Sequence, residues 1–307
     1  MSGPMQPPDL ACRDERLDGV EAREGRTTAV GGLDVTRVLP TKGRRTVGAW
    51  CFVDLMGPMD ALEPDPLEVG PHPHIGLSTV TWLLEGEALH TDSLGTEQPI
   101  RPGQLNLMTA GHGIAHAEFA AEPPFRGAQL WIAQPEGTRH DASTFEHHAD
   151  LPVVDLAHGT ATVLIGELDG ARSAARADTP LIGLDLAVGR GRTVLPTASG
   201  FEHAVVPIDG RVKVGPEVIE PGYIALVPQG VEELPIETER DDARLLVLGG
   251  EPLGERVQMW WNFVARDRDE ITAAWHEWRE GTDRFGAVPT RMERIEAPVP
   301  PWIASAD

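Results

Sequence analysis

The chain carries two short histidine motifs, Pro71-His72-Pro73-His74-Ile75-Gly76 and Ala110-Gly111-His112-Gly113-Ile114-Ala115-His116-Ala117-Glu118. In each motif two ligand-type residues are separated by a single residue: His72 and His74 in the first, His116 and Glu118 in the second. Because side chains alternate along an extended strand, each pair projects to one side of its strand. Imidazole nitrogens with one carboxylate oxygen suit a first-row metal such as iron. A lone His-x-His pair is more often an ordinary surface feature, but the second pair at matching spacing favours a metal site.

The segments around these motifs have the pattern of short β-strands. Leu33–Leu39 alternates apolar and polar residues, Leu77–Leu84 is rich in β-branched and large apolar residues, and Gln129–Ala133 has the pattern of a buried strand. Further strand candidates are Thr46–Leu55, Ala88–Thr91, Pro99–Ile100 and Gln104–Met108. Glycine and proline separate these segments and no long helical pattern interrupts them, which favours a β-barrel or a β-sandwich.

The second half of the chain repeats this rhythm. Aligning Gly86 with Gly210 matches Val80–Gly86 to Ala204–Gly210, and Pro102-Gly103 then matches Pro221-Gly222 after a shorter hairpin. In this alignment the histidines of the first half are lost, since the counterparts of His72, His74, His116 and Glu118 are Pro196, Ala198, Pro235 and Glu237. The repeat predicts two β-barrels of common design, with a metal site in the N-terminal barrel alone.

The ends of the chain differ from its middle. Residues 1–26 have scarcely any apolar periodicity and are predicted to be a flexible leader. The N-terminal barrel is expected over residues 27–150, the C-terminal barrel over 151–252, and a helix with a proline-rich tail over 253–307. The helix is indicated by apolar residues at helical spacing, with a capping residue before them and a glycine after them: Ile271, Ala274, Trp275 and Trp278, with Asp267 and Gly281. We expect the two tryptophans to pack on a barrel, and a partner-binding role is the alternative.

Composition excludes several classes of function. The formal net charge is −22, with no lysine or arginine cluster to match a phosphate backbone, so direct nucleic-acid binding is not expected. The two cysteines, Cys12 and Cys51, do not form a disulfide scaffold, and a reducing cytoplasm is the expected location. No apolar run reaches the roughly 18 residues of a membrane span. The first residues lack the apolar segment of a secretory signal.

A longer set of motifs resembles the pirin family, two-barrel members of the cupin superfamily. The matching segments are His72-Pro73-His74-x-Gly76, Leu84-Glu85-Gly86-Glu87, His90-x-Asp92-Ser93-Leu94-Gly95, Pro102-Gly103-x-Leu105, Met108–Glu118, the segment Arg45–Pro58, and Gln129-Leu130-Trp131. The resemblance is strong over most of residues 28–135 and looser in the second half. It departs at Ser78, where many relatives have an acidic residue.

The resemblance implies an all-β fold of two cupin (jelly-roll) barrels in tandem with a short C-terminal helix. It implies one iron (Fe²⁺/Fe³⁺) held by His72, His74, His116 and Glu118, a ligand set that also suits other divalent first-row metals. Relatives are similar to quercetin 2,3-dioxygenases, which use dioxygen to open the heterocycle of a flavonol, and Glu118 would then be both ligand and catalytic base. The alternative is a non-enzymatic, iron-dependent redox regulator that acts through protein partners. Roles near the metal remain open for three further residues, His112, His90 and Asp54.

Overall fold

Short strands separated by glycine- and proline-containing turns make up most of the computed structural model, which describes residues 15–58, 67–120 and 124–304. The strands of the first half are β1 (Glu21–Glu24), β2 (Arg26–Val30), β3 (Leu33–Leu39), β4 (Trp50–Met56), β5 (Leu67–His74), β6 (Leu77–Glu85), β7 (Ala88–Asp92), β8 (Glu97–Ile100), β9 (Leu105–Thr109), β10 (Ile114–Ala120), β11 (Arg126–Ala133) and β12 (Thr144–His148). Those of the second half are β13 (Val153–Leu156), β14 (Gly159–Ile165), β15 (Glu167–Leu168), β16 (Ala171–Arg172), β17 (Leu181–Val188), β18 (Gly191–Pro196), β19 (Glu202–Asp209), β20 (Val212–Val214), β21 (Glu217–Ile219), β22 (Tyr223–Val227), β23 (Glu233–Thr238), β24 (Ala243–Gly250), β25 (Gln258–Trp260) and β26 (Phe263–Ala265). The helices are a 3₁₀ turn at Glu15–Gly19, α1 (Arg268–Glu280) and α2 (Pro301–Ala304).

The two halves form barrels of the same topology. The N-terminal barrel has a seven-stranded sheet in the order β12-β9-β6-β11-β4-β3-β2 and a four-stranded sheet in the order β5-β10-β7-β8. The C-terminal barrel has sheets of the same sizes, ordered β1-β22-β19-β24-β17-β14-β13 and β18-β23-β20-β21. Strand for strand, β6 corresponds to β19 and β10 to β23. The prediction of two tandem barrels, made from the weak internal repeat, is therefore confirmed.

One edge strand of each large sheet comes from a segment that flanks the N-terminal barrel: β12 follows its other strands in the chain, and β1 precedes them. Strand β12, from the connector between the barrels, pairs with β9, and β1 pairs with β22, where Glu21 lies opposite Leu226. Leu17 and Val20 beside β1 are buried in the C-terminal barrel's core. The prediction of a flexible leader over residues 1–26 is thus corrected from residue 15 onward, because this segment forms the edge strand of the C-terminal barrel's large sheet. Residues 1–14 lie outside the described residues.

The two large sheets pack against each other through one shared apolar core. Alternation sends one set of side chains into this interface, such as Val80, Leu130, Ala204 and Leu248, and the next set into a barrel interior. Trp50 of the N-terminal barrel is fully buried here, and its indole Nε1 donates to the carbonyls of Ile182 (3.0 Å) and Gly249 (3.2 Å). Similarly, Trp82 Nε1 donates to Asp185 Oδ2 at 3.0 Å. The tryptophans therefore join the barrels by hydrogen bonds as well as by packing.

The C-terminal segment packs on the N-terminal barrel beside the first histidine motif. Helix α1 begins after Asp267, whose side chain accepts the backbone N–H of Glu270, and ends at Gly281 in the left-handed conformation. Its apolar face contains Ile271, Ala274, Trp275 and Trp278, and it packs in one cluster with Ile75 and Phe263. The predicted helix, its cap and the docking of its tryptophans are confirmed. Among the described residues, no helix is long and apolar enough to cross a membrane.

One buried histidine of the C-terminal barrel, His203, belongs to neither group of described side chains that could hold a metal. His203 is 2% exposed, and burial lowers its pKa from 6.5 to about 4. Between these two values the unfolded chain binds a proton that the folded chain does not, so stability falls as the pH falls through this range. The loss approaches about 3 kcal/mol at pH 4, since each pKa unit corresponds to about 1.4 kcal/mol.

We therefore expect His203→Gln to flatten the acid dependence of stability. Free energies of unfolding of metal-free protein would be measured by urea denaturation between pH 7 and pH 4, and the slopes compared. The exposed His140, changed to Gln, is the matched control and should leave the slope as it is. Parallel curves for His203→Gln and the unchanged protein would contradict the prediction.

Candidate metal centre

The two histidine motifs become neighbouring antiparallel strands of the small sheet. In the pairing of β5 with β10, His116 lies opposite His72 and Ile114 lies opposite His74. Both motifs adopt the extended conformation that their spacing predicts, so His72 and His74 project to the same side as His116. Gly76, with φ of +64°, ends the first arm, and a side-chain carbon there would lie 2.2 Å from the carbonyl oxygen of Val264. Only glycine suits this turn, because the C-terminal segment packs directly on it.

The three histidines form one buried group. Their ligand nitrogens all lie within 4.8 Å of one another, and the Nε2 atoms of His74 and His116 are 3.0 Å apart. The side chains of His72, His74 and His116 are 6%, 1% and 1% exposed. Three imidazoles this close, without solvent, would repel one another if they were protonated.

The lowered pKa values of the three histidines favour metal binding. His72 Nδ1 donates to the carbonyl of Gly70 at 2.9 Å, which leaves its Nε2 lone pair free. Burial lowers the pKa of His72 to about 4, and burial together with the neighbouring imidazoles lowers the pKa values of His74 and His116 well below their usual value. Neutral imidazoles are the form that binds metals. The donor set therefore fits a first-row metal ion.

Glu118 lies beside this triad but in a second, overlapping group. The strand register shifts between His116 and Glu118, and the second group contains His90, His116 and Glu118. The carboxylate lies 3.3 Å from the hydroxyl of Thr81, and burial raises the pKa of Glu118. Of the four ligands that the sequence predicts, three form one group; the fourth, Glu118, belongs to the second group, which shares His116, and lines the same cavity as the triad.

An aromatic wall borders the triad on one side of a cavity of about 350 Å³. Phe52 and Trp131 stack with their ring centroids 3.9 Å apart, and the ring of His74 meets Trp131 edge-on at 5.3 Å. The guanidinium of Arg37 lies 4.3 Å from the centroid of Phe52 and makes two hydrogen bonds of 2.7 Å to Asp54. The cavity thus combines nitrogen and oxygen donors with flat apolar surface.

Sequence reasoning identified only part of this cavity. Asp54, one of the three further residues whose role the sequence leaves open, lines the cavity. Arg37, Trp261 and Asn262 also line it, and no sequence motif points to them. Trp261 and Asn262 come from the C-terminal segment, and their approach to the histidines depends on long-range packing that no local motif encodes. His112 is exposed on the turn before β10 and does not line the cavity.

The corresponding strands of the C-terminal barrel contain no histidine. Strands β18 and β23 pair as β5 and β10 do, with Pro196 opposite Glu233 and Val194 opposite Pro235. Glu237 is half exposed and lies 3.6 Å from Lys213. Across the described ranges, the groups of side chains that could hold a metal all belong to the N-terminal barrel.

A two-barrel cupin with a buried histidine group in its first barrel is the class that this fold and site define. Sequence comparison matches residues 32–132 to the pirin family and residues 184–286 to the pirin C-terminal cupin domain. A Pseudomonas aeruginosa protein with the provisional name quercetin 2,3-dioxygenase is 44% identical over 90% of this chain and 89% of its own length.

Solved structures agree with this assignment. The crystal structure of a quercetin 2,3-dioxygenase from Acinetobacter baumannii superposes with a TM-score of 0.87 at 42% identity, covering 92% of this chain and 96% of that one. A bacterial pirin from Escherichia coli, solved in complex with nickel(II), shares the fold with a TM-score of 0.60 at 17% identity, over 76% of this chain and 99% of that one. The chain belongs to the pirin family.

Proposed function

We propose that this protein is a metal-dependent dioxygenase of the quercetin 2,3-dioxygenase type that acts on flavonol-like substrates. The observation that carries the proposal is the cavity in which a stacked aromatic wall borders three buried histidines. A volume of about 350 Å³ falls at the small end of the range for small-molecule sites. The names of the relatives at 44% and 42% identity support the same reaction class.

The ligands that we assign to the metal are His72, His74, His116 and Glu118. Iron is the metal that we propose, and the ligand set also accepts manganese, cobalt, nickel or copper. When bound, such an ion supplies Lewis-acid chemistry to an oxygen of the substrate and a site for dioxygen. The three imidazoles are neutral and the carboxylate contributes a single negative charge, so a divalent ion would keep a net positive charge that favours an anionic oxygen.

The protein's own groups account for substrate orientation and proton removal. Phe52 and Trp131 offer flat faces against which a flavonol ring can lie. Glu118, whose pKa is raised by burial, is suited to accept the proton of the flavonol hydroxyl, since a base is most effective when its pKa approaches the working pH. The hydroxyl of Thr81 lies between Glu118 (3.3 Å) and Gln129 (3.1 Å) and limits the carboxylate's movement.

Turnover of quercetin tests this proposal. Protein is purified without metal, loaded anaerobically with Fe(II), and exposed to air with quercetin. We expect loss of the flavonol absorption with dioxygen consumed and carbon monoxide released in equal amounts. Parallel loadings with manganese, cobalt, nickel and copper identify the active metal.

Glu118→Gln provides the control on mechanism, because the amide can still reach the metal but cannot accept a proton. We expect it to lose most turnover, by roughly 10²–10⁴-fold, the usual contribution of general base catalysis. Absence of turnover under all five metal loadings would reject the dioxygenase and favour a metal-binding regulator that acts through protein partners.

A further inference from the structure

A continuous line of buried polar side chains leads from His116 away from the triad. His116 Nε2 faces His74, while its Nδ1 lies 3.3 Å from Nδ1 of His90. The other nitrogen of His90, Nε2, lies 3.2 Å from Oδ2 of Asp92. Strand pairing sets this arrangement, because β7 lies beside β10 with Asp92 opposite His116 and His90 opposite Glu118.

Asp92 determines the direction of every hydrogen bond in this line. It is fully buried, and its Oδ1 accepts the backbone N–H groups of Leu94 (2.9 Å) and Thr96 (3.1 Å). A carboxylate can only accept, so His90 Nε2 must donate to Oδ2. In a neutral His90 ring, Nδ1 then carries the lone pair and accepts, so His116 Nδ1 donates.

The remaining nitrogen of His116 is the one that faces the triad. With the proton on Nδ1, a neutral His116 has its lone pair on Nε2, beside His72 and His74. In the opposite tautomer, Nε2 carries a hydrogen and cannot bind a metal there. The ring of His90 is itself held by stacking on Phe145, with centroids 4.6 Å apart and planes 23° apart.

We propose that Asp92 and His90 are positioning residues that hold His116 in the tautomer able to bind the metal. This inference rests on the metal site of the proposed function and adds to it the groups that prepare one ligand. It also assigns the second histidine group. Because both Nδ1 atoms between His90 and His116 are engaged with each other, that group supports the triad and does not hold an ion of its own.

Asp92→Asn tests the proposal with little change of shape. The Asn oxygen can keep the two backbone hydrogen bonds, but its NH₂ group replaces Oδ2 and donates to His90 Nε2. His90 would then carry its proton on Nδ1, and His116 would have to accept at Nδ1 and hold its proton on Nε2. We expect nitrogen-15 NMR of histidine-labelled, metal-free protein to find the Nδ1–H tautomer of His116 in the unchanged protein and the Nε2–H tautomer in Asp92→Asn.

Metal affinity provides the second measurement. Supporting partners of metal-bound histidines typically contribute 10–100-fold in affinity, so Asp92→Asn should weaken Fe(II) binding by about that factor, measured anaerobically by competition with a chelator. His90→Asn is the matched variant, because its side-chain oxygen can still accept from His116 Nδ1 although its link to Asp92 is lost. We expect it to keep the Nδ1–H tautomer and to lose less affinity than Asp92→Asn.

If Asp92 and His90 only stabilised the fold, His90→Asn should lose more Fe(II) affinity than Asp92→Asn, because His90→Asn removes a buried ring and Asp92→Asn removes only a charge. That order, or an Nε2–H tautomer of His116 in the unchanged protein, would overturn the proposal. If Asp92→Asn does not fold, the tautomer of the unchanged protein and of His90→Asn still decides. The NMR measurement needs neither metal nor substrate, so its result does not depend on whether the dioxygenase assay succeeds.

Discussion

His116→Ala is expected to empty the metal site. His116 is the residue shared by both groups of ligand-type side chains, and it lies 3.0 Å from His74 on one side and 3.3 Å from His90 on the other. Removing it leaves two imidazoles and a carboxylate, one ligand fewer than the assigned set. Because even supporting partners contribute 10–100-fold, the loss of a ligand should reduce affinity by roughly 100-fold or more. Metal content of purified protein, measured by plasma mass spectrometry, should fall from about one iron per chain to near zero.

His112→Ala is the matched control for this experiment. It removes an imidazole from the same motif, but the side chain of His112 is exposed and does not line the cavity. Its metal content should equal that of the unchanged protein, while His74→Ala should behave like His116→Ala. Full metal retention in both His74→Ala and His116→Ala would contradict the site assignment.

Of the tryptophan substitutions compared below, Trp50→Ala is expected to lower the free energy of unfolding most. The side chain is fully buried between the two barrels and makes two hydrogen bonds to carbonyls of the second barrel. Truncating a buried tryptophan typically costs about 3–5 kcal/mol, because packing is lost and a cavity remains. Trp50→Phe, which keeps most of the packing but loses the N–H donor, should cost less, about 1–3 kcal/mol. Urea denaturation at constant pH measures both.

Trp302→Ala supplies the comparison within the same chain. Trp302 is only partly buried, packs against Trp260 in the C-terminal segment, and makes one hydrogen bond to Thr272. Its removal should cost clearly less than that of Trp50. Equal losses for the two tryptophans would mean that the interface between the barrels contributes no special stability.

The fold was predictable where alternation and turn chemistry act locally. Leu33–Leu39 is a strand with the bounds that its pattern indicates, and the C-terminal helix begins after Asp267 and ends at Gly281 as its capping residues predict. Strand β1, in contrast, was missed. Its sequence, Glu21-Ala22-Arg23-Glu24, has no apolar alternation because an edge strand of this kind buries little of its surface. Pairing with a strand far along the chain is a non-local property.

The candidate site, like the fold, was predictable only where local sequence spacing determines it. The histidine motifs show their chemistry by spacing alone, so His72, His74 and His116 could be predicted as neighbours. The contact between His90 and His116 depends on the register of β7 against β10, which residue types in either strand do not specify. Likewise, Trp261 reaches the cavity only because the C-terminal segment packs back on the first barrel.

The pairing of β1 with β22 has a consequence for the order in which the chain can fold. Glu21 is synthesised about 200 residues before its partner Leu226. At a synthesis rate of about 5–20 residues per second, β1 exists for roughly 10–40 s before its partner strand is available. The N-terminal barrel, whose strands β2–β12 are contiguous in the chain, can close during this interval. The C-terminal barrel is therefore completed last, by a strand that precedes the N-terminal barrel's strands β2–β12 in the chain.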